Sequence, residues 1–466
     1  MTDRAAILDE TPHVWYQGGT LVLEYVGPEE PVPSCFRWIK NRWRCPAIHF
    51  AALRPWLTRQ GIQSRVARWE RLTLTIQDER EPHDYQREAL QAWERADRRG
   101  SIVLPTGAGK TFVAIHAIQR LGRSTLIIAP TIDLLHQWYS RLTDAFGIEI
   151  GLFYGGEKLL CSLTVTTYHS AATAIDAFGN QFALLVFDEA HHLPAPSWQE
   201  IAFLSPAPYR LGLTATYPDP APSDAPDPLA TLIGAIVYHK AVDDLTGQQL
   251  AEYRTERLLV DLTDAERARY DQLHAIYAGY YRENRLREQH GPSWWHEYTR
   301  RSAFDPDART AKVAERAIKR IIQTAEAKIQ LLDRLLKQHA HQRVLVFTAH
   351  NALAYQISRR FLIPAITHQT KAAERKEILD RFRAGHYRAI VTSKVLNEGV
   401  DVPEAKVAIV LGGTASEREY IQRLGRILRK SGNSEALLYE VIVRGTIEES
   451  QSRRRQPKKR KVAYDA

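Results

Sequence analysis

The stretch that most constrains this chain is 101–111, SIVLPTGAGKT. Ile102, Val103 and Leu104 form a short apolar run, and Pro105, Gly107 and Gly109 break it. Val113, Ala114, Ala117, Ile118 and Leu121 then recur at helical spacing. The pattern predicts strand, glycine loop, helix. In such a turn the loop amides and the helix N-terminus converge on one point and favour an anion there. Lys110 is placed to reach the outer phosphates of a nucleotide, and the Thr111 hydroxyl to ligate Mg²⁺. The strict phosphate-loop pattern begins with Gly, where this chain has Leu104.

A second stretch fits the first. Residues 184–192 read LLVFDEAHH, an apolar strand ending in two carboxylates. Open α/β sheets bind ligands at that carboxyl edge. Asp188 is placed to hold Mg²⁺, and Glu189 to orient or deprotonate an attacking water. Packing alone would not put carboxylates there. His191 and His192 are not read as a zinc site, which wants four ligands.

A chain of 466 residues is too long for one core. Residues 1–78 read as a small α/β domain, with strands at 21–26 and 72–76 and a helix over 48–60. That segment interleaves Trp38, Arg42, Trp43, Arg44, Trp56, Arg65, Arg68 and Trp69. Such a mix either grips nucleic acid by stacking and phosphate contact or is a tryptophan core beneath a solvated arginine face. From 82 to 240, β-runs at 101–104, 125–129, 163–166, 184–187 and 210–213 alternate with helices, which predicts a parallel sheet. Residues 217–228, YPDPAPSDAPDP, read as an irregular loop. Residues 255–320 read as helical, charged and aromatic. Strands return at 344–347, 364–367, 389–392, 407–411 and 437–442, so a second parallel α/β domain is expected, with a cleft between the two.

Charge is uneven. Of the net +9, the last sixteen residues carry +6, from seven Lys or Arg against one Asp. This tail is either a salt-sensitive nucleic-acid contact or a solubilising end. Cys35, Cys45 and Cys161 have no zinc spacing and are too few for a disulfide framework, which points to a reducing, cytoplasmic setting. No apolar run reaches the roughly 18 residues of a membrane helix, and no signal peptide is expected.

The blocks TGAGKT (106–111), DEAHH (188–192), TAT (214–216) and QRLGR (422–426) resemble motifs I, II, III and VI of superfamily 2 helicases. HDYQREAL (83–90), APT (129–131), TVTTY (164–168), VLVFTAHN (344–351) and TSKVLNEGVDVP (392–403) resemble the remaining motifs, in order. LHQW (135–138), APYRLGLTAT (207–216), FLIPAITH (361–368) and EYIQRLGRILR (419–429) make the finer resemblance to the XPB family in its short archaeal or bacterial form.

The resemblance implies an α/β fold with two RecA-like motor domains, at 81–250 and 326–450. It also implies a damage-recognition-like domain at 1–80, a helical thumb-like insertion at 251–325 and a basic tail at 451–466. It implies ATP-driven 3′→5′ translocation along, or opening of, DNA in repair or transcription, by a monomer with a nuclease partner. A restriction or RNA-processing motor and an ATP-switched clamp are the alternatives. Gln86 would read adenine, while Pro105, Thr106, Gly107, Ala108, Gly109, Lys110 and Thr111 would hold phosphate. Gly399 and Asp401 would meet the nucleotide from the second domain. Gln422, Arg423 and Arg426 would complete catalysis across the cleft. Pro130, Thr131, Thr166, Thr167, Thr348, Thr392 and Ser393 would touch the nucleic-acid backbone. One departure stands out. Archaeal-type members carry Arg-Glu-Asp shortly after TAT, tied to strand separation, and this chain has no Arg between Arg210 and Arg254.

Overall fold

The computed structural model describes residues 11–78, 80–217, 227–245, 253–291, 294–393, 405–412 and 436–455. Gly399, Asp401, Gln422, Arg423 and Arg426 lie outside the described residues, as do most of the Pro/Asp loop and the end of the tail. The chain divides into two units, 1–245 and 246–466.

The first unit opens with a five-stranded sheet. Strands β1 (His13–Gln17) and β2 (Thr20–Glu24) form a hairpin across Gly18 and Gly19, both at positive φ. Strands β3 (Arg37–Ile39) and β4 (Arg42–Pro46) turn through Lys40 and Asn41, also at positive φ. A two-residue turn of that kind matches the twist of the strands it joins. Helix α1 (Phe50–Arg59) leads to β5 (Gln63–Arg65), and the order is β3-β4-β2-β1-β5. Phe50, Leu53 and Leu57 recur at helical spacing and join Val14, Leu21 and Leu23 in one core. Trp43, Trp56 and Trp69 pack against that core, whereas Trp38 on the edge strand is exposed.

Residues 72–76, expected as a strand, run extended without a ladder. Their burial alternates as a strand's would, but their neighbours are helix ends. Leu72 N donates to Gly122 O at 3.0 Å, and Gln77 N to Ala145 O at 2.8 Å.

The rest of the first unit alternates strand and helix. The helices are α2 (Asp84–Arg95), α3 (Lys110–Leu121), α4 (Ile132–Phe146), α5 (Tyr168–Phe178), α6 (Glu200–Phe203), α7 (Pro228–Leu232) and α8 (Val242–Leu245). The strands are β6 (Arg99–Val103), β7 (Thr125–Ala129), β8 (Gly151–Tyr154), β9 (Glu157–Lys158), β10 (Leu163–Thr167), β11 (Leu184–Asp188), β12 (Tyr209–Thr214) and β13 (Ile236–His239). Their order is β13-β6-β12-β11-β7-β10-β8-β9, parallel except for the terminal β8–β9 hairpin. Strands β7, β10 and β11 are buried along their whole length, as the middle of a doubly covered sheet requires. The glycine-loop strand β6 lies next to β12, and β12 next to β11. Three carboxyl ends are thereby brought side by side.

In the second unit, the sheet contains β14 (Tyr253–Val260), β15 (Val344–Phe347), β16 (Ala365–Ile366), β17 (Ala389–Thr392), β18 (Val407–Val410) and β19 (Ala436–Val443), ordered β14-β19-β18-β15-β17-β16 and all parallel. Its helices are α9 (Asp264–Glu283), α10 (Leu286–His290), α11 (Trp294–Arg301), α12 (Pro306–Thr324), α13 (Glu326–Gln338), α14 (Asn351–Phe361), α15 (Ala372–Arg383) and α16 (Ile447–Arg455). Residues 253–260 correct the helical reading of that stretch: they form an edge strand paired along its full length with β19. Its charges misled the sequence pattern, because an edge strand tolerates them, and Arg257 meets Glu440 at 3.3 Å.

Helices α9 and α12 are rooted in the core of this second unit through Tyr270, Leu273, Ala314, Ile318 and Ile322. Farther out, Tyr280, Leu286, Tyr298, Ala308 and Ala311 make a small core of their own. No described helix is long and apolar enough to cross a membrane.

Candidate active site

The apolar run 102–104 enters the sheet as the end of β6 and the residue after it. Leu104, where the strict pattern has Gly, is fully buried, and its N–H donates to Thr214 O at 3.0 Å. The position completes the core, so an apolar side chain serves there.

Beyond it the chain needs two left-handed residues, Gly107 (φ +90) and Gly109 (φ +76), to turn into α3. A Cβ on Gly109 would stand 2.5 Å from Gln86 Nε2. The loop is braced from outside: Ala108 O accepts from Tyr85 Oη at 2.8 Å and from Gln86 Nε2 at 3.2 Å. Gln86 also accepts from His83 N at 3.0 Å and is 4% exposed. One N–H thus supports the loop and one lone pair caps the start of α2, leaving one N–H and one lone pair for a base. Lys110 folds back over the loop, its Nζ 3.2 Å from Leu104 O.

Asp188 ends β11 almost fully buried. Its Oδ2 accepts from Trp138 Nε1 at 2.8 Å, and its Oδ1 from Glu189 N at 3.0 Å. Tyr168 Oη donates to Asp188 O at 3.0 Å. Burial raises the Asp188 pKa above the usual carboxylate range, against the pull of Trp138 and of the Lys110 charge. The adjacency of β6, β12 and β11 sets the loop and the carboxylate at one sheet edge.

Glu189 follows at φ +46, a strained conformation for a residue with a Cβ. Its Oε2 lies 3.5 Å from His191 Nδ1, which is 2.8 Å from Thr214 Oγ1. Thr214 Oγ1 donates to Thr216 O at 2.7 Å and accepts from Thr216 N at 3.2 Å. With its proton given to Thr216 O, Thr214 is left as an acceptor toward His191 Nδ1. Glu189, His191, Thr214 and Thr216 are therefore one polar chain running from the carboxylates to the TAT segment. His192 turns away and packs near Tyr168 and Trp198.

The expected backbone-contact residues divide. Pro130 and Thr131 are half-buried, and Thr131 caps α4 by accepting from Leu134 N. Thr167 caps α5 and is nearly buried. Thr166, Thr348 and Thr392 are fully buried and donate inward, to Phe153 O, Thr392 O and Ser393 O. In the structure those three hydroxyls are spent on backbone carbonyls. Ser393 is 4% exposed at the same edge of the second sheet.

The donors at the first edge fit a polyphosphate with a hard divalent cation. The left-handed glycine cradle, the α3 N-terminus and Lys110 suit phosphate oxygens. Thr106 Oγ1 is buried with no hydrogen-bond partner among the described residues. One carboxylate and one hydroxyl, Asp188 and Thr111, suit Mg²⁺, which takes few protein ligands and keeps water and phosphate oxygens.

Trp138 is the residue that sequence reasoning missed: LHQW was read as a string, with no role for its indole.

Two family models match the chain. Residues 79–219 match the type III restriction enzyme res subunit, and 327–431 the helicase conserved C-terminal domain. The chain is 44% identical over 381 residues to the DNA 3′-5′ translocase XPB2 of Sulfurisphaera tokodaii, covering 82% of this chain and 85% of that one. It is 31% identical over 389 residues to the DNA 3′-5′ helicase XPB of Mycobacterium tuberculosis, covering 80% of this chain and 62% of that longer protein. Among solved structures, the helicase domain of Pyrococcus furiosus Hef shares the fold, with a TM-score of 0.50 and 19% identity over 80% of this chain and 97% of that one.

Proposed function

The chain belongs to the XPB family of DNA helicases and translocases, and on that premise we propose that it is an ATP-driven 3′→5′ motor on DNA, serving repair or transcription in the cytoplasm of a prokaryote. The observation that carries the reading is the meeting of the glycine loop, Asp188–Glu189 and Thr214 at one sheet edge, with Lys110 acting on the Asp188 carboxyl. The backbone of 107–111 and Lys110 hold the phosphates of ATP. Asp188 and Thr111 hold Mg²⁺, which when bound neutralises phosphate charge. Glu189 orients the attacking water and takes its proton. Through His191, the loss of a phosphate at Glu189 is felt at Thr214 and Thr216. Gly399, Asp401, Gln422, Arg423 and Arg426 complete the site from the second motor domain on the strength of their motifs.

The exposed Trp38 and the arginines beside it suit DNA contact by the N-terminal domain. Arg282 and Arg285 are exposed on the insertion and suit phosphate contact there. A nuclease acting beside this motor is part of the same reading.

Strand separation by the isolated chain is weak in this reading. Arg210, the nearest arginine before the Pro/Asp loop, is fully buried and gives its guanidinium to the carbonyls of Ala202, Ser205, Ala207 and Leu232. Buried there, it cannot reach a strand. The test is ATP turnover by the purified chain with duplex, forked and single-stranded DNA and with RNA, alongside unwinding of the fork. DNA should stimulate turnover strongly while unwinding stays poor. Stimulation by RNA alone would replace DNA as the track, and efficient unwinding would show that the missing triplet does not matter here.

A further inference from the structure

Four tryptophans of the first unit donate their indole N–H to a named acceptor. Three of these bonds go to backbone carbonyls: Trp43 to Gly27 O at 3.1 Å, Trp69 to Asn180 O at 3.0 Å and Trp93 to Arg210 O at 3.0 Å. A buried indole usually finds a partner, a carbonyl being the ordinary one, although Trp15 Nε1 is buried without one among the described residues. Trp138 breaks the rule, because its N–H goes to the Asp188 carboxylate at 2.8 Å.

Trp138 is 1% exposed, and α4 carries it against the end of β11. We propose that Trp138 is the positioning residue that fixes the Asp188 carboxylate to receive the divalent cation. Trp138 and Glu189 N each occupy one site on a different carboxylate oxygen. Each oxygen keeps a lone pair, and the plane of the group is set. The indole suits this task chemically. It donates only, so it cannot compete for the metal, and it is neutral, so the carboxylate keeps its charge for the cation. A lysine or arginine at the same place would neutralise that charge. The large ring, buried on every side, also cannot turn away.

This inference rests on reading Asp188 as the metal carboxylate, and its test separates the two. Two substitutions remove the N–H. Trp138→Phe leaves a smaller ring. Trp138→benzothienylalanine, introduced as a non-natural residue, keeps the shape and replaces only N–H by sulfur. Each folded variant is loaded with a non-hydrolysable ATP analogue and titrated with Mn²⁺ by electron paramagnetic resonance. Loss of an outer-sphere partner should weaken Mn²⁺ by about 10- to 100-fold. Affinity for the analogue in chelator should stay unchanged, because the glycine loop is intact. In turnover, the Mg²⁺ half-saturation should rise while the ATP KM holds. Should Trp138→Phe not fold, the isosteric variant decides alone. Unchanged Mn²⁺ affinity in the isosteric variant overturns the role of Trp138. A wild-type chain that hydrolyses no ATP overturns the reading of the site instead.

Discussion

The carboxyl edge of the first sheet and the helical insertion of the second unit both set aromatic rings beside charged groups, and they use them in opposite ways. At the edge, the charge is buried and a ring serves it: Trp138 donates to the Asp188 carboxylate, while Tyr168 holds the backbone carbonyl of the same residue. In the insertion two tyrosine rings are buried, Trp295 is exposed, and the charges serve each other. Tyr280 and Tyr298 sit in the small core, while Glu297 on the surface is held by Arg300 and Arg301, each at 2.8 Å. A buried carboxylate held by neutral donors is kept ready for something else to neutralise. A part-exposed carboxylate between two guanidinium groups already has its partners. That difference separates chemistry from surface upkeep better than composition does, since the insertion looks richer in binding residues.

The strongest way to break the comparison is at the edge. Glu189→Gln should lower DNA-stimulated ATP hydrolysis by about 10²- to 10⁴-fold, the range for losing a positioned base, and Lys110→Ala by about 10²- to 10³-fold, the range for losing a charge-stabilising donor. Glu189→Gln should still bind ATP, because the cradle is untouched. Wild-type turnover in either variant would mean that the edge is not the site.

A second break lies in the insertion's small core. Tyr298 is 1% exposed, and its hydroxyl has no hydrogen-bond partner among the described residues. Tyr298→Ala should destabilise the second unit by about 3 kcal/mol, as deletion of a buried aromatic does. Tyr298→Phe should be neutral or slightly stabilising, since it removes only the unpaired hydroxyl. Denaturant melts of both variants read the difference. If Tyr298→Ala melts as wild type yet loses DNA affinity, the ring is a grip and not a core residue.

The smallest effect sharpens the comparison at the surface. The hydrogen bonds from Arg300 and Arg301 lower the Glu297 pKa from its ordinary 4.5 to about 2. A lowered carboxylate adds stability above its unfolded pKa and loses it as pH falls through the folded value. Glu297→Gln should therefore melt slightly below wild type at neutral pH. The gap should close between pH 4.5 and about 2, and the effect is small because Arg300 stands in solvent and Glu297 is only part-buried. A gap that persists in acid would assign it to something other than this ion pair.

How far the sequence could be read follows the same division. The glycine loop and the DEAH turn are legible because their chemistry requires particular residues at fixed spacing, and the sheet order then brings them together. Leu104 looked like a flaw in the motif and is a core residue. Residues 253–260 read as helix because an edge strand can afford charges that a central strand cannot. Residues 72–76 alternate as a strand does, yet their neighbours are the ends of α3 and α4, which no local pattern reveals. Residues 255–320 read as charged and aromatic, but periodicity cannot tell which way a ring on an amphipathic helix faces. The hydroxyls of Thr166, Thr348 and Thr392 are ordinary for strands, and only burial tells them from surface donors. Trp138 lies fifty residues from Asp188, so its bond is invisible without the fold.

The left-handed backbone at Glu189 has an evolutionary consequence. Holding a side-chain-bearing residue at φ +46 costs about 1 kcal/mol that glycine would not incur. The working sequence is thus not the most stable one for this turn. Glu189→Gly should melt at or above the wild-type temperature while hydrolysing no ATP, and a clear drop in melting temperature would show that the turn is not strained. Random drift, judged on folding alone, would erode the enzyme from its centre outward, and only selection on turnover keeps the glutamate where it is.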